Sequence, residues 1–156
     1  MSEPFVINTH DGNVLSLGNF EAIVLASGEK TSGEFSLLQT QNEPHDFGPP
    51  LHLHRDAAES FYVLEGEYVV YINDEQHMAG PGSFVYVPPN TPHTFKVVSA
   101  STGKKLNLFT PPAMTNFFEK LALLESRGEA TPEMLDQIAS ENQMEILGPV
   151  PETYLR

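Results

Sequence analysis

The first 110 residues are a succession of short apolar runs separated by turn formers. This rhythm constrains the fold more than any other feature of the chain. "NVLSL", "EAIVLAS" and "GEFSLLQT" are cut at short intervals by Gly, Asn, Asp and Ser. "LHLH", "ESFYVLEG", "EYVVYIN", "GSFVYVP", "HTFKVVS" and "KKLNLFT" follow. Runs of aliphatic, β-branched and aromatic residues bounded in this way read as strands, and none has a helical period. The connector "QNEPHDFGPP" (41–50) ends in adjacent prolines, which a central strand cannot contain. Roughly eight to eleven strands are expected, and a β-domain of that size hides its edges by closing into a barrel or a double sheet. After residue 110 the period changes. "TNFFEKLALLES" sets Phe117, Phe118, Leu121 and Leu124 on one helical stripe, with Thr115 or Asn116 as N-cap. "TPEMLDQIASEN" opens with Thr131 as N-cap and Pro132 at the first helical position, and Met134, Leu135 and Ile138 form a narrow apolar face. "ILGPVPETYLR" is expected to be extended. The expectation is an all-β fold in one domain over residues 1–156. Its barrel core spans about 14–110, followed by a short C-terminal helical tail over about 113–156.

Chemistry concentrates in "LHLHRDAAES" (51–60). Residues i and i+2 of a strand share a face, roughly 6–7 Å apart, so His52 and His54 project together. Glu59 follows a short break at 55–58, a spacing that lets a second strand return its carboxylate toward the pair. His93 opens an alternating strand on which Phe95 and Val97 share its inward face. Imidazole is the commonest nitrogen ligand of first-row divalent metals. His52, His54, Glu59 and His93 therefore form a candidate site for one divalent transition metal: Fe, Mn, Ni, Co or Zn. The remaining histidines, His10, His45 and His77, lie among polar residues and read as solvated loop positions. The absence of cysteine excludes disulfides, thiolate metal sites, iron–sulfur clusters and cysteine nucleophiles.

Twenty-one acidic against eight basic side chains give a formal net charge of −13. Such a surface repels phosphate backbones and anionic lipid, so nucleic acid is not expected as a partner. Only Arg55 and Lys96 lie near the histidines in sequence, which argues against phosphorylated substrates. No apolar run is long enough to span a membrane. "MSEPFVINTHDG" has neither a basic start nor an apolar stretch, so no secretory signal is read there and a cytoplasmic location is expected.

The ordered set His52-x-His54, four residues, Glu59, six residues, Gly66 resembles the first signature motif of the cupins. Gly82, five residues, Pro88-Pro89-Asn90, two residues, His93 resembles the second, after a 15-residue spacer (67–81). Three positions depart from the usual pattern. Asp46 stands where the first motif opens with glycine, although Gly48 is near; Asn90 replaces the glycine of the second motif; Val97 replaces its final Asn. Asn tolerates a left-handed backbone, so the turn at Asn90 is retained. The resemblance implies a cupin barrel, also described as a double-stranded β-helix or jelly roll, with the four residues as metal ligands. In size, spacer and helical tail the chain is similar to small bacterial monocupins of the quercetin 2,3-dioxygenase-like kind. That similarity implies a metal-dependent dioxygenase that opens a flavonol or related enol-type aromatic substrate with O₂, with Glu59 as ligand, general base or both.

Strand parity adds Phe61 and Val63 to the face of Glu59, and Phe95 and Val97 to that of His93. With Phe117 and Phe118 at the mouth, these form a candidate sleeve for a small hydrophobic or aromatic substrate. Both faces of 67–73 and 84–87 are apolar, so parity leaves open which of Tyr68, Tyr71, Phe84 and Tyr86 look inward. The surplus apolar face points to a homodimer interface. Two alternatives share the barrel: a cupin isomerase, lyase or cyclase of small-molecule biosynthesis, and a cupin that holds a metal or ligand without turnover.

Overall fold

A computed structural model describes residues 2–149. Its strands are β1 (Asn13–Ser16), β2 (Glu21–Ala26), β3 (Ser36–Glu43), β4 (Leu51–His54), β5 (Ala58–Glu65), β6 (Tyr68–Ile72), β7 (Glu75–Ala79), β8 (Phe84–Val87), β9 (His93–Val97) and β10 (Gly103–Thr110). Helices α1 (Thr115–Ser126) and α2 (Pro132–Glu141) follow, and β11 (Met144–Gly148) is the last element among the described residues. The end of the segment read as extended, from residue 150 on, lies outside them. Among the described residues no helix is long and apolar enough to cross a membrane.

The strands form two antiparallel sheets, ordered β1-β2-β3-β10-β5-β8 and β11-β4-β9-β6-β7. Inner faces pack together: Phe61 and Val63 of β5 meet Tyr68, Val70, Phe95 and Val97 of the other sheet in one buried cluster. A second cluster joins Leu15, Ala22, Leu38 and Phe109 to Phe117 of α1 and Ile138 of α2. The helices thus close one end of the β-structure with the apolar stripe that their sequence period requires. Each fully buried Leu, Ile or Phe in these clusters contributes about 1.5–3 kcal/mol relative to exposure.

Four local readings need correction. β7, "EQHMA", carries no apolar pattern because it is an edge strand paired only with β6, exposed except at Ala79. His77 therefore lies on a strand rather than in a loop, exposed all the same. β3 runs on through Glu43, so the connector begins at Pro44 rather than at residue 41, and Glu43 is buried. The N-cap of α1 is Met114, with φ 69° and no side-chain cap, instead of Thr115 or Asn116. Met114 is held in the core, which starts the helix where packing, rather than capping chemistry, dictates. Thr131 caps α2 as expected, its hydroxyl accepting from the Met134 N–H at 3.2 Å.

Of the four aromatic residues that parity left open, Tyr68 and Tyr71 are buried and Phe84 and Tyr86 are exposed.

Candidate metal centre

His52 and His54 occupy alternate, inward positions of β4. Strand β9 pairs with β4 in a register that sets His93 beside His52. Glu59 comes from β5, in the other sheet, and reaches across the interior. Its Oε2 lies 3.0 Å from His54 Nε2 and 2.8 Å from His93 Nε2. All four side chains are buried, and one donor atom from each lies within 4.8 Å of the others.

The chain also fixes which ring nitrogens face the centre. His52 Nδ1 is 2.8 Å from the Pro50 carbonyl, and His93 Nδ1 is 2.8 Å from the Thr91 carbonyl. A carbonyl oxygen only accepts, so both Nδ1 atoms carry protons and donate. This leaves Nε2 of each ring to face inward as the potential ligand, the arrangement that orients metal-bound histidines in general. The ring centroids of His52 and His93 are 4.4 Å apart, and those of His54 and His93 5.5 Å. Phe109 stands edge-on to His54 at 5.3 Å and closes the cluster on that side.

The electrostatics mark a site short of positive charge. Burial, then the charge of His93, depresses the His52 imidazolium to about 3. Burial alone would raise Glu59, but hydrogen bonds from His54 and His93 outweigh it and hold the carboxyl well below its ordinary value. Burial likewise opposes charge on His93, yet its hydrogen bond to Glu59 and the carboxylate charge raise it overall. Nδ1 of His54 is buried and makes no hydrogen bond. Ligands about 2.1 Å from a common ion lie up to roughly 4.2 Å apart, so these donors surround an ion after shifts of a few tenths of an ångström. A divalent ion would replace the protons that hold the imidazoles to Glu59. The donor set fits a transition metal that accepts nitrogen and oxygen ligands.

The centre opens on a cavity of about 260 Å³. Phe95, Phe117 and Phe118 line it, together with Leu121 and Leu135 of the helices. Phe61, Val63 and Val97 do not: they are fully buried in the cluster that Phe95 also joins. Parity gave their facing correctly but not their depth. Arg55 and Lys96 point outward, to Glu145 and Asp46. The basic residue at the cavity is Lys105, almost fully buried and paired with Glu43 at 2.9 Å. The sequence held its signal: in "KKLNLFT", Lys105, Asn107 and Phe109 alternate onto one face, and Phe109 marks that face as inward.

Residues 40–109 match the family described as Cupin domain. The chain is 28% identical over 118 residues to a quercetin 2,3-dioxygenase of Bacillus subtilis (strain 168), covering 76% of this chain and 34% of that protein. It spans between a third and a half of the length of the curated relatives it matches. Among solved structures it is similar in fold to a predicted oxalate decarboxylase from Thermotoga maritima, with TM-score 0.64, 17% identity and coverage of 69% of this chain and 99% of that one. It is similar as well to the polyketide cyclase RemF from Streptomyces resistomycificus, with TM-score 0.58, 20% identity and coverage of 69% and 80%.

Proposed function

The chain belongs to the cupin superfamily, and from that premise we propose that it is a metal-dependent dioxygenase acting on a flavonol or related enol-type aromatic substrate. The observation that carries this reading is the position of Glu59. Its carboxylate sits among three inward imidazoles at the edge of a largely apolar cavity. His52, His54, Glu59 and His93 would hold the ion, which when bound lowers the pKa of an enol hydroxyl near it. Glu59 would accept that hydroxyl's proton as general base. Phe95, Phe117 and Phe118 bury the aromatic rings and exclude water. Dioxygen then adds to the electron-rich enolate, and the ring opens with release of carbon monoxide, so that O₂ and substrate together account for every product atom.

The likeness to the quercetin 2,3-dioxygenase supports the substrate class. The cavity's own chemistry supports it too. Among the described residues Lys105 is the cation on its wall, and it is paired with Glu43, so none of them offers a free positive charge to a phosphorylated sugar. The proposal includes a homodimer, for which exposed Tyr62, Met78, Phe84 and Tyr86 supply an apolar face.

A second reading, a cupin cyclase, isomerase or lyase, is favoured by the fold likeness to RemF. Aerobic and anaerobic turnover of flavonols by the Fe, Mn, Co, Ni and Zn forms separates the two. The dioxygenase reading expects flavonol consumption only with O₂. Equal consumption without O₂ would transfer the assignment to the second reading.

A further inference from the structure

Strand β10 places Lys105, Asn107 and Phe109 on the cavity wall at alternate positions, all three buried. Its register against β5 sets Phe109 beside Glu59 and Asn107 beside Phe61. Asn107 is therefore two residues, about 7 Å, along the strand from the level of Glu59. It is one of few polar side chains on a largely hydrocarbon surface, and its orientation is determined by what lies behind it.

Lys105 Nζ donates to Glu43 Oε1 and to Thr40 Oγ1, each at 2.9 Å. Thr40 Oγ1 lies 2.5 Å from the same Glu43 oxygen. A carboxylate only accepts, so the single hydroxyl proton of Thr40 is committed to Glu43. Toward Asn107, Thr40 can then only accept. The Asn107 amide must turn its nitrogen to Thr40, and Nδ2 donates to Thr40 Oγ1 at 3.1 Å and to the Lys105 carbonyl at 3.4 Å. Both hydrogen bonds of Asn107 use Nδ2, and Oδ1 makes none among the described residues. The buried Glu43–Lys105–Thr40 network thus works as a positioning device: it locks the amide and leaves Oδ1 as an acceptor at the cavity.

We infer that Asn107 Oδ1 receives a hydrogen bond from a second hydroxyl of the cavity's ligand, and so selects among apolar, planar enols for those hydroxylated about one two-residue strand step from the reacting oxygen. The selection is for a donor: the fixed amide offers the ligand no N–H, and an ether or carbonyl at that position would meet Oδ1 as a second acceptor. This inference rests on the dioxygenase reading for the class of ligand, but not for the chemistry.

Binding without turnover tests it. The metal-loaded protein is titrated calorimetrically, under anaerobic conditions, with 3-hydroxyflavone, which has the enol alone, and with quercetin, which adds ring hydroxyls. One buried hydrogen bond corresponds to a preference of about ten-fold for quercetin. Asn107→Leu, which keeps the volume, is expected to bring the two Kd values within about two-fold and leave that of 3-hydroxyflavone unchanged. Thr40→Val frees the amide to turn and is expected to lower the preference about three-fold; it decides the matter if the leucine variant fails to fold. Equal binding of the two flavonols by the parent protein, a preference that survives the decisive variant, or equal weakening of both probes would overturn the inference and leave the dioxygenase reading standing. Failure of the parent protein to bind either flavonol would overturn both.

Discussion

Glu59 contacts two imidazoles at once, and its replacement separates its roles. Glu59→Gln keeps size and one oxygen ligand but no longer accepts a proton. Expected are retention of most of the metal, by elemental analysis, and a fall in turnover of about 100-fold or more, the scale of general-base catalysis. Unchanged turnover would leave Glu59 as a ligand only. His52 makes a different prediction for the metal-free protein. Its imidazolium is depressed to about 3 in the folded site, against about 6.5 in an unfolded chain. As pH falls below about 6.5, the unfolded chain takes up the proton and the folded one does not, so stability is lost progressively toward pH 3. Glu59, also depressed, adds to the loss below the carboxylate range. His93, whose value is raised, works the other way: it stabilises at low pH and loses that contribution as pH rises through its folded value. His52→Gln removes the first term, so its Tm is expected to fall less steeply than the parent's between pH 6 and pH 4. Parallel Tm curves would show that His52 is not held neutral.

At the scale of elements, two turns carry the site. Gly48 precedes β4, and a Cβ there would collide with the Phe95 carbonyl of β9. Gly48→Ala is expected to cost about 2–3 kcal/mol, as overpacking against rigid backbone does, and denaturant unfolding measures it. Asn90 holds φ 61°, and its N–H donates to the His54 carbonyl at 2.7 Å, so the turn before His93 is tied to the strand carrying the other histidines. The departure from glycine at this position preserved the left-handed backbone, as a sequence reader expects of Asn. The strands bearing ligands were legible because apolar alternation and a paired HxH both survive in sequence. β7 was not, because an exposed edge strand needs no apolar face. The sequence reading did not single out Glu43 and Lys105, for a related reason. Charge reads as solvation until a partner is known, and theirs lies 62 positions away in the chain. Phe61, Val63 and Val97 show the limit of parity: it tells inward from outward, while the depth at which the sheets close comes from packing the whole set together.

Across the whole molecule, an acidic, cysteine-free β-structure surrounds a buried, nitrogen-rich centre. Binding of an ion to the folded state alone stabilises it by about 4 kcal/mol at a thousand-fold excess over Kd. For a chain of this size that corresponds to a Tm rise of roughly 8–16 °C on metal addition, by thermal unfolding. No rise with any of the five metals would contradict a folded-state site. The most direct test of the central claim, that His52, His54, Glu59 and His93 together hold a metal ion, is the metal content of the protein purified from metal-supplemented medium, beside that of His54→Ala. About one ion per chain is expected in the parent and almost none in the variant, because His54→Ala removes one of four ligands. Less than about 0.2 ion per chain in the parent, or an equal content in the two proteins, would contradict it.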